Sequence, residues 1–295
     1  MTSSLTERVR TAITTATGSP LGACEIRPVP GGDIHQSYVL VALTPYFVKV
    51  NTADQVGLFE AEAQALQTLA ATGTLRVPKP IVWEAWEDSS FLVLEYIALQ
   101  KGASHQFRRM GEQLAALHRV TSPQGKFGWD RANYIGTTPQ PNAWTDSWID
   151  FWRDQRLGFQ LRLARQKGLP LPGADRLLEN LPAFFTGTTV VPSLLHGDLW
   201  GGNAAFDEHG LPVIFDPASY YGDRECDLAF TELFGGFTPS FYEGYDATWP
   251  RQPGWEHRRD LYNLYHILNH FNLFGRTYAP QAEALLDRVN RSIQG

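Results

Sequence analysis

The stretch LLHGDLWGGN, Leu194 to Asn203, packs a histidine, an acid, a tryptophan, three glycines and an asparagine into a few residues. Alone, it reads as turn chemistry, since Gly, Asp and Asn all favour tight backbone. The segment that follows changes the reading. AAFDEHGLPVIF has the form of a β-hairpin turning at Asp207–Gly210, with Asp216 just past its second strand. That turn sets Phe206 opposite Leu211 and Asn203 opposite Ile214, so Asp216 shares a face with Asn203. Asp198 lies on the loop that feeds the hairpin.

An amide oxygen and a carboxylate at the hairpin's open end form an all-oxygen pair of the kind that suits Mg²⁺, which keeps several waters and is shared with phosphates. Asp198 is then free to take a proton from an attacking hydroxyl. H-x-D-x-x-x-x-N followed by a separate metal-binding Asp is the division of labour of phosphoryl transfer. His196 and Asp198 make a poor zinc site, because no third ligand has a convincing spacing.

A phosphoryl-transfer enzyme needs a cation on the nucleotide phosphates and an acid to hold it. YFVKVN offers Lys49 between Val48 and Val50, pointing opposite its apolar neighbours; an ordinary solvent-facing lysine would look the same. The helix expected from Gly57 to Ala71 discriminates better. Its apolar stripe is Phe59, Ala63, Leu66 and Ala70; Glu62 lies on the flank of that stripe and Glu60 points away. An acid leaning towards the core needs a partner, which makes Glu62 the expected partner of Lys49. Gly31 and Gly32, directly before the strand pair, are a candidate phosphate-covering loop or a plain hairpin turn. In LVLEYIAL, the backbone of Glu95 and Ile97 is placed to bond an adenine edge.

The rest of the chain gives the architecture. Ser4-Leu5-Thr6-Glu7 resembles a capping box opening an amphipathic helix with Leu5, Val9, Ile13 and Ala16 on one stripe. Strands and one prominent helix follow, up to EYIALQKG. Beyond that point the patterns are mostly helical, including SWIDFWRDQRLGFQLRLARQKG as one long helix stopped at Gly168 and Pro170, and a helical tail, EHRRDLYNLYHILNHFNLFG. The expected fold is α+β and bilobal, with a β-rich N-lobe over residues 1–98 and a mainly helical C-lobe over residues 99–295 that carries the catalytic loop, the hairpin and the acceptor site. The charge of −6 and the absence of basic clusters argue against a nucleic-acid partner. No secretory leader or membrane-spanning run is visible, and two cysteines without metal-like spacing fit a reducing, cytoplasmic setting.

GGDIHQSY, YFVKVN, FEAEAQAL, RVPKP, HGDLWGGN, FDPASYYGDRECDLAF, GGF and LYHILNHFNLFG together resemble the fructosamine kinase (ketosamine-3-kinase) family, within the wider aminoglycoside-phosphotransferase and protein-kinase-like fold. The resemblance runs from about Ile26 to Gly275. It implies ATP- and Mg²⁺-dependent phosphorylation of the 3-hydroxyl of a ketosamine, free or protein-bound, with Asp198 as base, Asn203 and Asp216 on the metal and Lys49 with Glu62 on the phosphates. Some eukaryotic members carry a cysteine in the Gly-rich loop; here it reads Asp33-Ile34-His35-Gln36, and Cys24 precedes it as a small packed residue. The competing readings are an aminoglycoside, choline or homoserine kinase of the same fold, and a nucleotide-binding regulator without catalysis. The latter is opposed by the presence of Lys49, Asp198, Asn203 and Asp216 together.

Acceptor contacts are expected from Trp200 and Tyr220 near the loop, and from Asn269 and His270 on the last long helix, whose polar residues could equally form a solvated face. His266 and His270 have metal-like spacing but lack the acid of H-E-x-x-H. Asp227 reads as a helix cap or a brace for the catalytic loop. Trp148, Trp152 and Arg156, at helical spacing, read as core packing with a snorkelling arginine.

Overall fold

The computed structural model describes residues 1–22, 24–30 and 34–293. Gly31 and Gly32 lie outside the described residues. The chain forms two compact units, Met1–Lys101 with Phe206–Phe215, and Gly102–Ala205 with the chain from Asp216 onward.

The first unit is built on an antiparallel sheet of β1 (Glu25–Val29), β2 (Gln36–Val41), β3 (Tyr46–Thr52), β4 (Pro80–Trp86) and β5 (Ser89–Glu95), in the order β1-β2-β3-β5-β4. Helix α1 (Ser3–Thr17) covers one face: its Leu5, Val9, Ala12 and Ile13 share a buried cluster with Tyr46, Val48 and Val50 of β3 and Phe91 and Val93 of β5. Two expectations for α1 shift. The hydroxyl of Thr2, not Ser4, caps it, accepting the Leu5 N–H at 3.2 Å, and Ala12 takes the buried position expected of Ala16, which is exposed. The period-two alternation of a strand turns Lys49 away from the α1 face. Helix α2 (Val56–Ala71) presents Glu62 to it.

The loop of the expected hairpin, Phe206–Phe215, groups with this first unit although the sequence places it in the C-lobe. The reason is local bonding. Gln100 and Phe206 exchange backbone hydrogen bonds, the Ile214 N–H donates to Arg76 O, and the Arg76 guanidinium pairs with Asp207. The hairpin itself, β9 (Ala204–Phe206) and β10 (Pro212–Ile214), forms. Its register is one residue off: the Asp207 N–H donates to Leu211 O at 2.9 Å, so Asp207, not Phe206, faces Leu211. Asp207 imposes this with its own side chain, which accepts the N–H groups of His209 and Leu211 at 2.9 and 2.8 Å.

The second unit is mainly helical. Its main helices are α3 (Ser104–His118), α7 (Glu225–Leu233), α8 (Pro239–Thr248), α9 (Trp255–Phe274) and α10 (Ala279–Ser292), with α6 (Ala174–Glu179) a shorter helix before the loop that carries Asp198. Two short strands, β6 (Asn133–Ile135) and β7 (Thr138–Gln140), pair antiparallel. The long helix expected from Ser147 to Lys167 is interrupted: α4 (Trp148–Phe151) passes through a six-residue π-helical stretch, Trp152–Leu157, into α5 (Gly158–Gln166). The widened turn closes on Gly158, whose N–H donates to Arg153 O and where a Cβ would collide with that carbonyl. Trp152 and Arg156 of this stretch both point inward. Arg156 therefore does not snorkel. It is fully buried, 4.0 Å above the Tyr220 ring and 4.5 Å above Phe151.

The packing of α7 on α9 contains a buried ion pair, with Arg258 Nε and Nη2 donating to Glu225 at 2.6 and 3.2 Å. Its geometry is good, yet such pairs do little for net stability while both partners are present; removing one leaves a bare buried charge, at a cost of about 3–5 kcal/mol. At roughly 2 °C per kcal/mol for a chain of this length, Glu225→Gln lowers the melting temperature by about 5–10 °C in calorimetry. An unchanged transition would show that the other acceptors of Arg258, the carbonyls of Phe184, Gln252 and Pro253 and the Thr188 hydroxyl, suffice for its charge.

Candidate active site

The segment from Leu195 to Tyr220 is pinned at both ends, because β8 (Ser193–Leu194) pairs antiparallel with β11 (Tyr221–Gly222). Between these strands the loop that carries Asp198 is held from beneath by Asp227, in the first turn of α7. Its carboxylate accepts the N–H groups of His196 at 2.7 Å and Gly197 at 2.8 Å and contacts His118 Nε2 at 3.1 Å. His118 Nδ1 in turn meets the Tyr245 hydroxyl at 2.8 Å. Asp227 is thus the brace of the loop rather than a cap of its own helix. Burial alone would raise its pKa, but His118 and the loop N–H groups hold it below the ordinary aspartate range. Burial depresses the pKa of His118.

Gly197 adopts φ 83°, and a Cβ there would collide with Ala218 O, so only glycine fits. The Ala218 N–H donates to His196 O at 2.9 Å, and the Asp198 N–H donates to His196 Nδ1 at 3.2 Å. That bond makes Nδ1 an acceptor, which removes it as a metal ligand.

Asp198 is half-buried on the loop. Asn203 Nδ2 donates both to its carbonyl, at 2.9 Å, and to its Oδ2, at 3.0 Å. Burial first, and the charge of Asp216 second, push its pKa well above the ordinary range; the Asn203 bond opposes them. Asp216 stands at φ 57°, a left-handed backbone that costs a non-glycine residue on the order of 1 kcal/mol. Asn203 Nδ2 is committed to Asp198, so Asn203 offers a cation its Oδ1, and Asp216 offers carboxylate oxygens, hard donors both. Among the described residues no cluster of three or more His, Cys, Asp or Glu could cage a metal. A two-oxygen set beside mutually repelling carboxylates fits Mg²⁺, which completes its shell with waters and phosphate oxygens.

In the first unit Lys49 Nζ donates to both oxygens of Glu62, at 2.8 and 2.9 Å, and both side chains are largely buried. Glu62, not Glu60, is the partner in this ion pair. The Glu95 N–H donates to Lys79 O at 2.8 Å and its carboxylate takes Arg76 at 2.7 Å. Ile97 follows, half-buried, just past the end of β5.

The four acceptor candidates separate. Trp200 is 39% exposed, edge-on to Phe234, whose ring lies 5.0 Å from that of half-buried His270. Tyr220 and Asn269 do not line a surface. Tyr220 is 2% exposed, with its ring beneath Arg156 and stacked on Phe151, because pairing of Tyr221 with Leu194 sends residue 220 inward. Asn269 is 3% exposed, its Oδ1 accepting from Gln160 and its Nδ2 reaching Ile135 O. His266 is buried, stacked on Phe230 at 3.6 Å, and neutral because burial drives its pKa down. Sequence reasoning missed His118 and Phe234; the available signal for His118 was its position on the Met110–Leu114 stripe of α3.

This is the architecture of the protein-kinase-like phosphotransferases. Choline kinase LicA from Streptococcus pneumoniae shares it with a TM-score of 0.61 at 15% identity over 99% of each chain, a likeness of fold alone. The chain belongs to the fructosamine kinase family, whose model matches residues 5–292. It is 49% identical over 280 residues, 95% of each chain, to a Synechocystis sp. protein named "Probable ketoamine kinase", and 39% identical to the protein-ribulosamine 3-kinase of Arabidopsis thaliana over 92% of this chain and 84% of that one. Among solved structures, "Putative fructosamine-3-kinase" from Haemophilus somnus matches with a TM-score of 0.89 at 29% identity, covering 95% of this chain and 96% of the other.

The brace makes a pH-dependent prediction. A carboxylate with a lowered folded pKa stabilises above its unfolded pKa, about 3.9, and that contribution is lost as pH falls through the folded value. Asp227→Asn therefore melts below the parent protein by a constant interval between pH 8 and about pH 5, closing only below about pH 4. Melting curves across this range test it, and closure of the interval near pH 6 would contradict the assignment.

Proposed function

We propose that the protein is an ATP- and Mg²⁺-dependent kinase of the 3-hydroxyl of ketosamines, the sugar adducts left on amines and lysines by glycation. The observation that carries this reading is Asp198, held by Asn203 beside Asp216 on a loop that Asp227 braces. A carboxylate raised from its ordinary range is the stronger proton acceptor near neutral pH. Asp198 takes the proton of the acceptor hydroxyl as its oxygen bonds to the γ-phosphorus and the bond to the ADP oxygen breaks.

Asn203 and Asp216 hold Mg²⁺, which supplies charge neutralisation on the phosphates. Lys49, oriented by Glu62, is the cation that the first unit offers to nucleotide phosphates, and the backbone of Glu95 and Ile97 its contacts to an adenine edge. Trp200 and His270 offer aromatic faces to the sugar or its amine. The names of the relatives, ketoamine kinase and protein-ribulosamine 3-kinase, support this acceptor class. The likeness to choline kinase is one of fold and supports no other acceptor. Phosphorylation of such adducts makes this a deglycation activity, and the two unpaired cysteines suit a reducing cytoplasm. No helix among the described residues is long and apolar enough to cross a membrane.

The test is an ATP-consumption screen of ribulose-, erythrulose- and fructose-lysine beside an aminoglycoside and choline panel. Turnover is expected on the ketosamines, and turnover confined to the panel would overturn the reading. Asp198→Asn abolishes turnover, a loss of about 10²-fold or more for a general base, while ATP affinity measured by calorimetry stays within about twofold. Full turnover by this variant would remove Asp198 from its role.

A further inference from the structure

Asp216 keeps its left-handed backbone next to a segment whose carbonyls are fixed from one side by Gly197, packed against Ala218 O. The other side is fixed by side chains that the proposed chemistry does not use. Gln140 Nε2 donates to Ala218 O at 3.1 Å, and Asn133 Nδ2 donates to Ser219 O at 2.8 Å. The two amides are joined to each other, since Gln140 Nε2 also donates to Asn133 Oδ1 at 2.8 Å.

The polarity of this cluster is set at both ends. The Tyr265 hydroxyl donates to Gln140 Oε1 at 2.7 Å, and Asn142 Nδ2 donates to Asn133 Oδ1 at 2.8 Å. Asn142 Oδ1 accepts Arg156 Nη2 at 2.6 Å, while Arg156 Nη1 donates to Pro141 O at 2.6 Å. Arg156 therefore forces the Asn142 oxygen outward, Asn142 forces that of Asn133, and the amide N–H groups of Asn133 and Gln140 are left to point at the 218 and 219 carbonyls. Asn133, Gln140, Asn142 and Arg156 are all buried. A buried chain whose amide groups are all satisfied holds one arrangement, because any amide flip strands a donor against a donor.

We infer that Asn133 and Gln140 are positioning residues for the metal ligand Asp216, clamping the carbonyls two and three residues after it so that its carboxylate is presented in the metal-binding orientation, with Arg156 as the anchor that sets their polarity. The inference rests on the reading of Asp216 as a metal ligand. Residues that orient metal ligands without touching the ion typically govern affinity by 10–100-fold.

The probe is Mn²⁺ with ADP on the full chain, followed by the loss of the free Mn²⁺ signal in electron paramagnetic resonance, well below each variant's melting temperature. Gln140→Met removes the clamp on residue 218 with little change in volume, and Asn133→Ser removes the clamp on residue 219. Each is expected to weaken Mn²⁺ binding about tenfold, with ADP affinity in the absence of metal unchanged. Asp216→Ala separates the two ideas. If it loses Mn²⁺ while Gln140→Met and Asn133→Ser bind with the affinity of the parent protein, the clamp is purely structural and the inference falls. If Asp216→Ala itself binds Mn²⁺ normally, the metal reading falls and takes the inference with it.

Discussion

The loop that carries Asp198 has no secondary structure of its own to satisfy it, and its shape depends on one buried carboxylate. Asp227 accepts two consecutive loop N–H groups and meets His118, which is itself fixed by Tyr245. Taking a carboxylate out of water costs several kcal/mol unless hydrogen bonds replace its solvation, and here the protein supplies them. The start of α7, where Asp227 sits, adds the favourable end of a helix dipole. Since Asp227 is on α7, His118 on α3 and Tyr245 on α8, the packing of three helices is transmitted to a few atoms of backbone.

Two aspartates in one neighbourhood are thereby driven in opposite directions. Asp227 receives multiple donors and is held ionised; Asp198 receives one amide, faces the charge of Asp216, and is raised. Separation of pKa values between nearby acids is how a protein assigns one to structure and another to proton transfer.

Much of this was legible from patterns of two and of 3.6. Strand alternation separated Lys49 from Val48 and Val50, and helix phase separated Glu62 from Glu60, because both are properties of regular backbone. What failed to read were places where a side chain or an irregular turn overrides regularity. Asp207 closes the hairpin with its own carboxylate and shifts the register by a residue. Arg156, in the π-helical stretch before Gly158, is buried over the Tyr220 ring and bonded to Pro141 O, so the polar end expected to reach water finds its partners inside. Tyr220, beside the catalytic loop in sequence, turns inward because β11 pairs with β8 only one residue later. Asn269, polar on a polar-looking helix, is consumed by Gln160 in the interior. Local spacing carries no record of which polar groups will find each other.

The distribution of buried polarity has a physical logic. The cluster between α1 and the sheet is apolar, and apolar packing tolerates small slides and swaps at little cost. The interior of the second unit instead buries Asn133, Gln140, Asn142, Arg156, Asp223 and Arg258. Replacing such groups by well-packed hydrophobic residues is often neutral or stabilising, so their presence is poorly explained by stability. Each directional bond does what a methyl contact cannot, excluding all but one relative placement of the groups it joins. In this chain several such bonds end on the backbone of residues 196, 197, 218 and 219, on either side of Asp198 and Asp216. Buried polarity in the second unit thus converges on the backbone that flanks two carboxylates, while the cluster under α1 stays apolar.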